Sequence, residues 1–174
     1  MSGVIERLRD PKTRDLACVA GGMGALLAGQ KLIGLGLFAR GLHGLERRWR
    51  EEHDFQGTLE ERWQRAGEFY EATHQDPVNR FLHLVGIPLV AGGAAGLIMS
   101  RPLRPVWLAS AGAFTLGWGL NFIGHGLFEK KAPAFAEDPL SFFVGPVWDW
   151  QHLRARRVRA PEGKVVPLPG EVAA

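Results

Sequence analysis

The sequence predicts an all-α fold: an integral membrane helical bundle of three to four apolar helices, with one amphipathic helix at the interface. Three observations predict it. Residues 81–100 and 105–123 are almost free of charge, although 22% of the 174 residues are charged. A further apolar run covers residues 16–38. Helix-start signals precede the later runs at the spacing expected of separate helices.

The first run, LACVAGGMGALLAGQKLIGLGLF, is long enough to span a membrane, but Gln30 and Lys31 interrupt it. It is read either as one span packed through its glycines or as two shorter halves. It ends without a small-x-small cleavage site, so no cleavable signal peptide is expected. Next comes a charged connector. In it, Thr58 and Glu61 form a capping box, and Leu59, Trp63, Ala66 and Tyr70 recur at helical spacing. This predicts an amphipathic helix that lies on the interface or packs on protein. Asp76-Pro77 is a strong helix start, with aspartate as N-cap and proline in the first turn. The helix that follows contains Gly86 and Pro88, where a kink is expected. After the SRPLRP turn a third apolar helix runs to about residue 127. At ~1.5 Å per residue, each of these two helices can cross the ~30 Å hydrocarbon layer. The aromatic segment PLSFFVGPVWDWQHL is short, and the Pro/Gly-rich end reads as disordered. The implied organisation is an N-terminal apolar segment and connector over 1–65, a membrane domain over 66–156 and a tail over 157–174.

Arginines flank the runs at 40–80 and again in the C-terminal region, which places both on the cytoplasmic side of a bacterial inner membrane. The N-terminus is also basic, which conflicts with a single crossing by the first run. The net charge of +3 is small and the arginines are mixed with glutamates, so no nucleic-acid partner is expected. The single cysteine, Cys18, excludes an internal disulfide and is read as unreactive. Glycine-rich faces leave homo-oligomers open.

The chemistry concentrates in one constellation. The two long apolar helices share a turn, so they run antiparallel, and both carry the pattern N-x-x-x-H: Asn79 with His83, and Asn121 with His125. The two histidines are equidistant from the turn and therefore at one depth. His74 lies just before the Asp-Pro start, and Glu129 lies one turn beyond His125. Polar groups at membrane depth are costly unless paired. Three histidines and a carboxylate at one level suggest a metal site, with Asn79 and Asn121 orienting ligands. Fe(II) and zinc both suit these ligand types. Single histidines on apolar helices are more often satisfied core residues, and from spacing alone both readings stand. His43, His53 and His152 sit in charged or aromatic surroundings and are read as solvated or interfacial, with His152 the reserve ligand.

The two blocks FYEATHQDPVNRFLHLVGIPL and TLGWGLNFIGHGLFEKKAPAF resemble the small membrane family of iron-dependent 2-hydroxy fatty acid dioxygenases. Its fungal member acts in phytosphingosine breakdown. The pattern Y-x-x-x-H-x-x-P-x-N-x-x-x-H is met by Tyr70, His74, Pro77, Asn79 and His83. The block G-H-x-x-F-E-x-x-x-P-A is met by Gly124, His125, Phe128, Glu129, Pro133 and Ala134. The fungal form carries an extra apolar hairpin between the blocks, and the first 65 residues here have no recognised counterpart. The resemblance implies alpha-oxidation: Fe(II) held by histidines, O2 and a 2-hydroxy fatty acid as substrates, membrane lipid as surroundings, and a product one carbon shorter. The expected ligands here are His74, His83, His125 and Glu129, with a salt bridge or the orienting of a ligand as the alternative role of Glu129. Arg80, Lys130 and Lys131 are the candidates to hold the substrate carboxylate. A different class of reading is a non-enzymatic lipid-binding or scaffold protein with the Asn-His pairs as interhelical glue. A multi-histidine di-iron hydroxylase is excluded, because no H-x-x-x-H or H-x-x-H-H spacing occurs.

Overall fold

The structure is a computed structural model; it describes residues 10–131 and 134–158, and of residues 152–158 the backbone only. All regular structure among the described residues is helical: α1 (Pro11–Leu27), α2 (Lys31–Glu52), α3 (Leu59–Thr73), α4 (Pro77–Met99), α5 (Pro105–Ile123), a π-helical turn (Gly124–Glu129), a 3-10 turn (Ala134–Ala136) and α6 (Ser141–Val158). The tail proposed over 157–174 lies almost wholly outside the described residues.

Two antiparallel hairpins form the body. The first apolar run is not one span. It breaks where Gln30 and Lys31 interrupt it, and Gly29 turns the chain at φ 79°, a left-handed conformation that glycine adopts without penalty. The arms α1 and α2 then pack backbone to backbone. A methyl group on Gly22 would meet the backbone of Gly34 and Phe38, and one on Gly41 would meet Asp15 and Val19. Helices α4 and α5 form the second hairpin by the same device, Gly93 lying against Phe114 and Gly117 against Gly86 and Val90. Gly86 thus serves close approach, and α4 stays helical through Pro88.

The turns of both hairpins lie at one end. Gly29 packs on Pro102. Lys31 donates through Nζ to the carbonyls of Ile98 (2.7 Å) and Ser100 (2.6 Å), satisfying acceptors that the end of α4 leaves open. Leu26, Val90, Leu97, Trp107 and Phe114 fill the space between the hairpins. At the opposite end Arg48 of α2 pairs with Asp15 of α1. Both ends of the first hairpin therefore face the same way, which removes the conflict raised by a basic N-terminus.

Helix α3 starts with the expected capping box, Thr58 and Glu61 each bonding the other's backbone. Its buried face differs from the expected one. Leu59 is 70% and Trp63 37% exposed, whereas Arg62, Ala66 and Tyr70 are buried. The face rotates because Arg62 is fully paired. Its guanidinium donates to both oxygens of Asp138 (2.9 and 2.6 Å) and to both oxygens of Glu46 (3.0 and 2.9 Å). It also lies 3.4 Å from the centroid of the Trp49 ring. One arginine thus joins α2, α3 and the segment before α6.

Helix α4 and the run Pro105–Glu129 are long and apolar enough to cross a membrane. Only 28% of each apolar window is buried by the protein, whereas the core helix of a soluble protein is mostly buried. Large apolar side chains such as Phe81, Leu116, Phe122 and Leu127 point outward.

Replacing Arg62 with alanine leaves the Asp138 carboxylate buried and unpaired. A loss of about 3–5 kcal/mol is expected, read as a lower unfolding midpoint in detergent. Arg47→Ala, which removes an exposed pair with Glu51, should leave the midpoint unchanged.

Candidate metal centre

Three separate elements deliver three imidazoles to one point. His74 caps the C-terminus of α3, His83 lies two turns into α4, and His125 lies in the π turn after α5. All three are buried, at 1%, 5% and 4% exposure. Their candidate ligand nitrogens lie within 4.8 Å of one another. The ring centroids are 4.7, 4.9 and 4.7 Å apart and the rings are nearly perpendicular in pairs, at 81°, 78° and 89°.

The backbone fixes two of the tautomers. His74 Nδ1–H donates to the Tyr70 carbonyl (2.8 Å), and His83 Nδ1–H donates to the Asn79 carbonyl (3.0 Å). Each leaves Nε2 as a lone-pair donor, the usual way a protein presents a metal-binding imidazole. His74 Nε2 and His125 Nδ1 are buried with no protein partner. Leaving such atoms unsatisfied costs about 1–3 kcal/mol each. Burial, above all, and the neighbouring His83 hold the His74 pKa down, from 6.5 to about 3, so its ring is neutral and ready to ligate at neutral pH.

Glu129 does not join the three. Its Oε1 accepts from the Asp76 backbone N–H (2.9 Å) and from Asn79 Nδ2 (3.2 Å). The reason is local. The expectation that Asn121, His125 and Glu129 share a face assumes α-helical phase. Residues 124–129 are π-helical, with i→i+5 closure, so a residue four along falls short of a full turn. The carboxylate is thereby aimed at the start of α4, where Asp76 already caps Val78 and Asn79. Glu129 ties the His125 turn to the His83 helix. Asn79 does this too: its amide oxygen lies against Gly124, where a methyl group would run into it, and the Asn121 amide oxygen lies against Gly86 in the same way.

Residues around the three histidines complete the site. The Tyr70 ring stacks on His74 at 3.8 Å, and its hydroxyl donates to Asp149 Oδ2 (3.0 Å). Burial first, and the Asp149 charge second, push the Tyr70 pKa well above the ordinary phenol range, so it stays protonated. Gly145 of α6 abuts the Tyr70 ring. Arg80 sits over the Trp148 ring at 4.7 Å, while Lys130 and Lys131 are exposed. His43 is exposed, and His53 stacks on Trp49, as expected for residues outside the site. The side chain of His152 lies outside the described residues. A cavity of about 510 Å³ opens from the histidines and runs between the two hairpins, walled by Leu26, Leu35, Phe38, Val90, Phe114 and Trp118 among others.

Several outcomes follow from this geometry. His74→Ala, His83→Ala and His125→Ala should each abolish stoichiometric metal uptake by the purified protein. Glu129→Gln should keep full stoichiometry at saturation while weakening affinity by about 10–100-fold, as for other residues that orient ligands. In the metal-free protein, the folded His74 refuses a proton that the unfolded chain accepts between pH 6.5 and about 3. Stability is then constant above that window and falls as pH drops through 6.5, seen as a thermal midpoint that is flat at neutral pH and declines on acidification.

No curated protein and no solved structure matches the chain. One family does match, described as 2-hydroxy-palmitic acid dioxygenase Mpo1-like, over residues 60–157. That stretch holds all three histidines, both asparagines and Glu129. It covers more than half of the 174 residues, and the chain belongs to the Mpo1-like family.

Proposed function

We propose that this protein is a membrane-embedded, Fe(II)-dependent dioxygenase that cleaves the C1–C2 bond of 2-hydroxy fatty acids. The observation that carries the reading is the trio of buried imidazoles, two of them with orphaned nitrogens, set at the head of an apolar cavity. Family membership supports it, since the family's description is that of a dioxygenase acting on 2-hydroxy-palmitic acid.

The donor set fits iron: neutral nitrogen ligands in number too few to fill its coordination sphere, which suits binding of O2 and substrate. When bound, the metal supplies Lewis acidity and a place for O2 beside the substrate hydroxyl and carboxylate. The chain supplies the rest. The carbonyls of Tyr70 and Asn79 hold the two imidazoles in one tautomer. The glycine–asparagine contacts fix the distance between α4 and the π turn. The apolar cavity keeps water from the acyl part of the substrate, so the polar head alone meets the histidines. Of the three candidate carboxylate holders we favour Arg80, which lies on the same helix as His83 and is held over the Trp148 ring. Tyr70 stays protonated and occupied with Asp149, which disfavours it as a base.

The overall change balances without an outside reductant. R–CHOH–COOH and O2 give R–COOH, CO2 and water. The outward apolar surface of α4 and α5 supports reading these helices as membrane-spanning. Hairpin ends and the arginine-rich segments then share the cytoplasmic side with the metal centre. A purely lipid-binding protein would use the cavity but has no need of three converging imidazoles, two of them with orphaned nitrogens.

Protein purified in detergent without oxygen, loaded with Fe(II) and given 2-hydroxypalmitate and O2, should release an acid one carbon shorter. O2 should be consumed in equal amount, with no reductant added. His83→Ala and His125→Ala should lose the product. Folded, metal-loaded protein that leaves the substrate intact would rule the activity out.

A further inference from the structure

We propose that the cavity between the hairpins holds the acyl chain along α4, and that Ala91 and Ala94 set the longest chain accepted. The proposal rests on the acyl-substrate reading above.

The cavity is polar at one end only. Beside the three histidines, its polar lining consists of Tyr70, Asn121 and Ser141; beyond Ile87 the wall is apolar. Along α4 the lining positions are His83, Ile87, Val90, Ala91, Ala94 and Ile98, which recur at helical spacing and therefore share one face. By helix rise, Ala91 lies about 12 Å, Ala94 about 16 Å and Ile98 about 22 Å from the level of His83. The two alanines leave room in mid-cavity where isoleucines bound it above and below. The far end is stopped by the packed cluster around Leu26, Leu97 and Trp107.

The opposite wall comes from the first hairpin: Met23, Leu26, Leu35 and Phe38. These residues lie outside the stretch that matches the family, 60–157. The N-terminal hairpin thus supplies one side of the acyl wall, and this chain's length preference is set jointly by α4 and the hairpin over residues 11–52. Leu35 and Ile98 line the cavity yet are 43% and 37% exposed on the outer surface. The cavity is therefore open sideways toward surrounding lipid, the source of a long-chain acid. An apolar slot with a single polar end and a side opening to lipid suits one linear chain and not a protein segment, whose backbone polar groups it would leave unpaired.

The test uses full-length protein loaded with Zn(II), which cannot turn over, and a series of saturated 2-hydroxy acids of increasing length competing with labelled 2-hydroxypalmitate. Wild-type affinity should rise with length and then level off. Ala94→Phe should move that plateau to shorter acids, and Ala91→Phe should move it further. Each methylene excluded should cost about fourfold in affinity. Short acids should bind both variants as they bind wild type, with metal stoichiometry unchanged. Leu26→Ala, which enlarges the far end, should extend the plateau and serves if a phenylalanine variant fails to fold. Equal loss at every length, or an unchanged profile, would overturn the proposal. Ordered plateaus with no turnover by the Fe(II)-loaded wild type would retain the cavity assignment and sink the dioxygenase reading. Turnover with a flat length profile would do the reverse.

Discussion

The contact between α4 and α5 is the constraint on which the rest depends. Glycine faces asparagine at two levels, Gly124 against Asn79 and Gly86 against Asn121. Without a Cβ at either glycine, the two backbones come close enough for His83 and His125 to meet at a 4.7 Å ring separation. Among lipids, helices gain little from burying apolar surface against each other, and small residues with good packing hold them together instead. The same contact that closes the hairpin therefore sets the three-histidine cluster. Once it is fixed, His74 needs only the sharp Asp76-Pro77 start, which brings the end of α3 over the head of α4. Glu129 secures that junction by accepting from Asp76 and Asn79.

The charged end is held by a different kind of force. Arg62 satisfies two carboxylates while its face is covered by Trp49. A buried cation is acceptable only with such complete pairing. Because its partners come from α2 and from the segment before α6, Arg62 couples the N-terminal hairpin to the helix that closes the cavity mouth. There Phe142 contacts both Trp118 and Phe38. The first hairpin is thus built into the family-matching part of the chain, and its Lys31 completes the far end of α4.

Features governed by local rules were legible in the sequence: the Thr58–Glu61 box, the Asp76-Pro77 start, the antiparallel pair and the level histidines. Their energetics involve residues a few positions apart. Features that depend on distant partners were not. Arg62 finds Glu46 and Asp138, 16 and 76 residues away, and nothing in an amphipathic pattern marks an arginine as the buried position. That is why Leu59 and Trp63, apolar and in phase with one another, are exposed instead. The role of Glu129, ligand or orienting residue, was open in the sequence for another reason: helical phase carries over only while the helix stays α, and the wider turn at 124–129 redirects the side chain toward Asp76 and Asn79. The hairpin in the first apolar run was half legible, since Gln30 and Lys31 marked the break but not its far-side partners, the carbonyls of Ile98 and Ser100.

The central claim is that three imidazoles from three separate elements make one metal centre without the carboxylate of Glu129. X-ray absorption spectroscopy of the Fe(II)-loaded protein tests it most directly. Scattering from three imidazoles, with the remaining positions filled by exchangeable oxygen ligands and the same spectrum in Glu129→Gln, is the expected result. A first shell without imidazole scattering, or one that loses a ligand in Glu129→Gln, would contradict it.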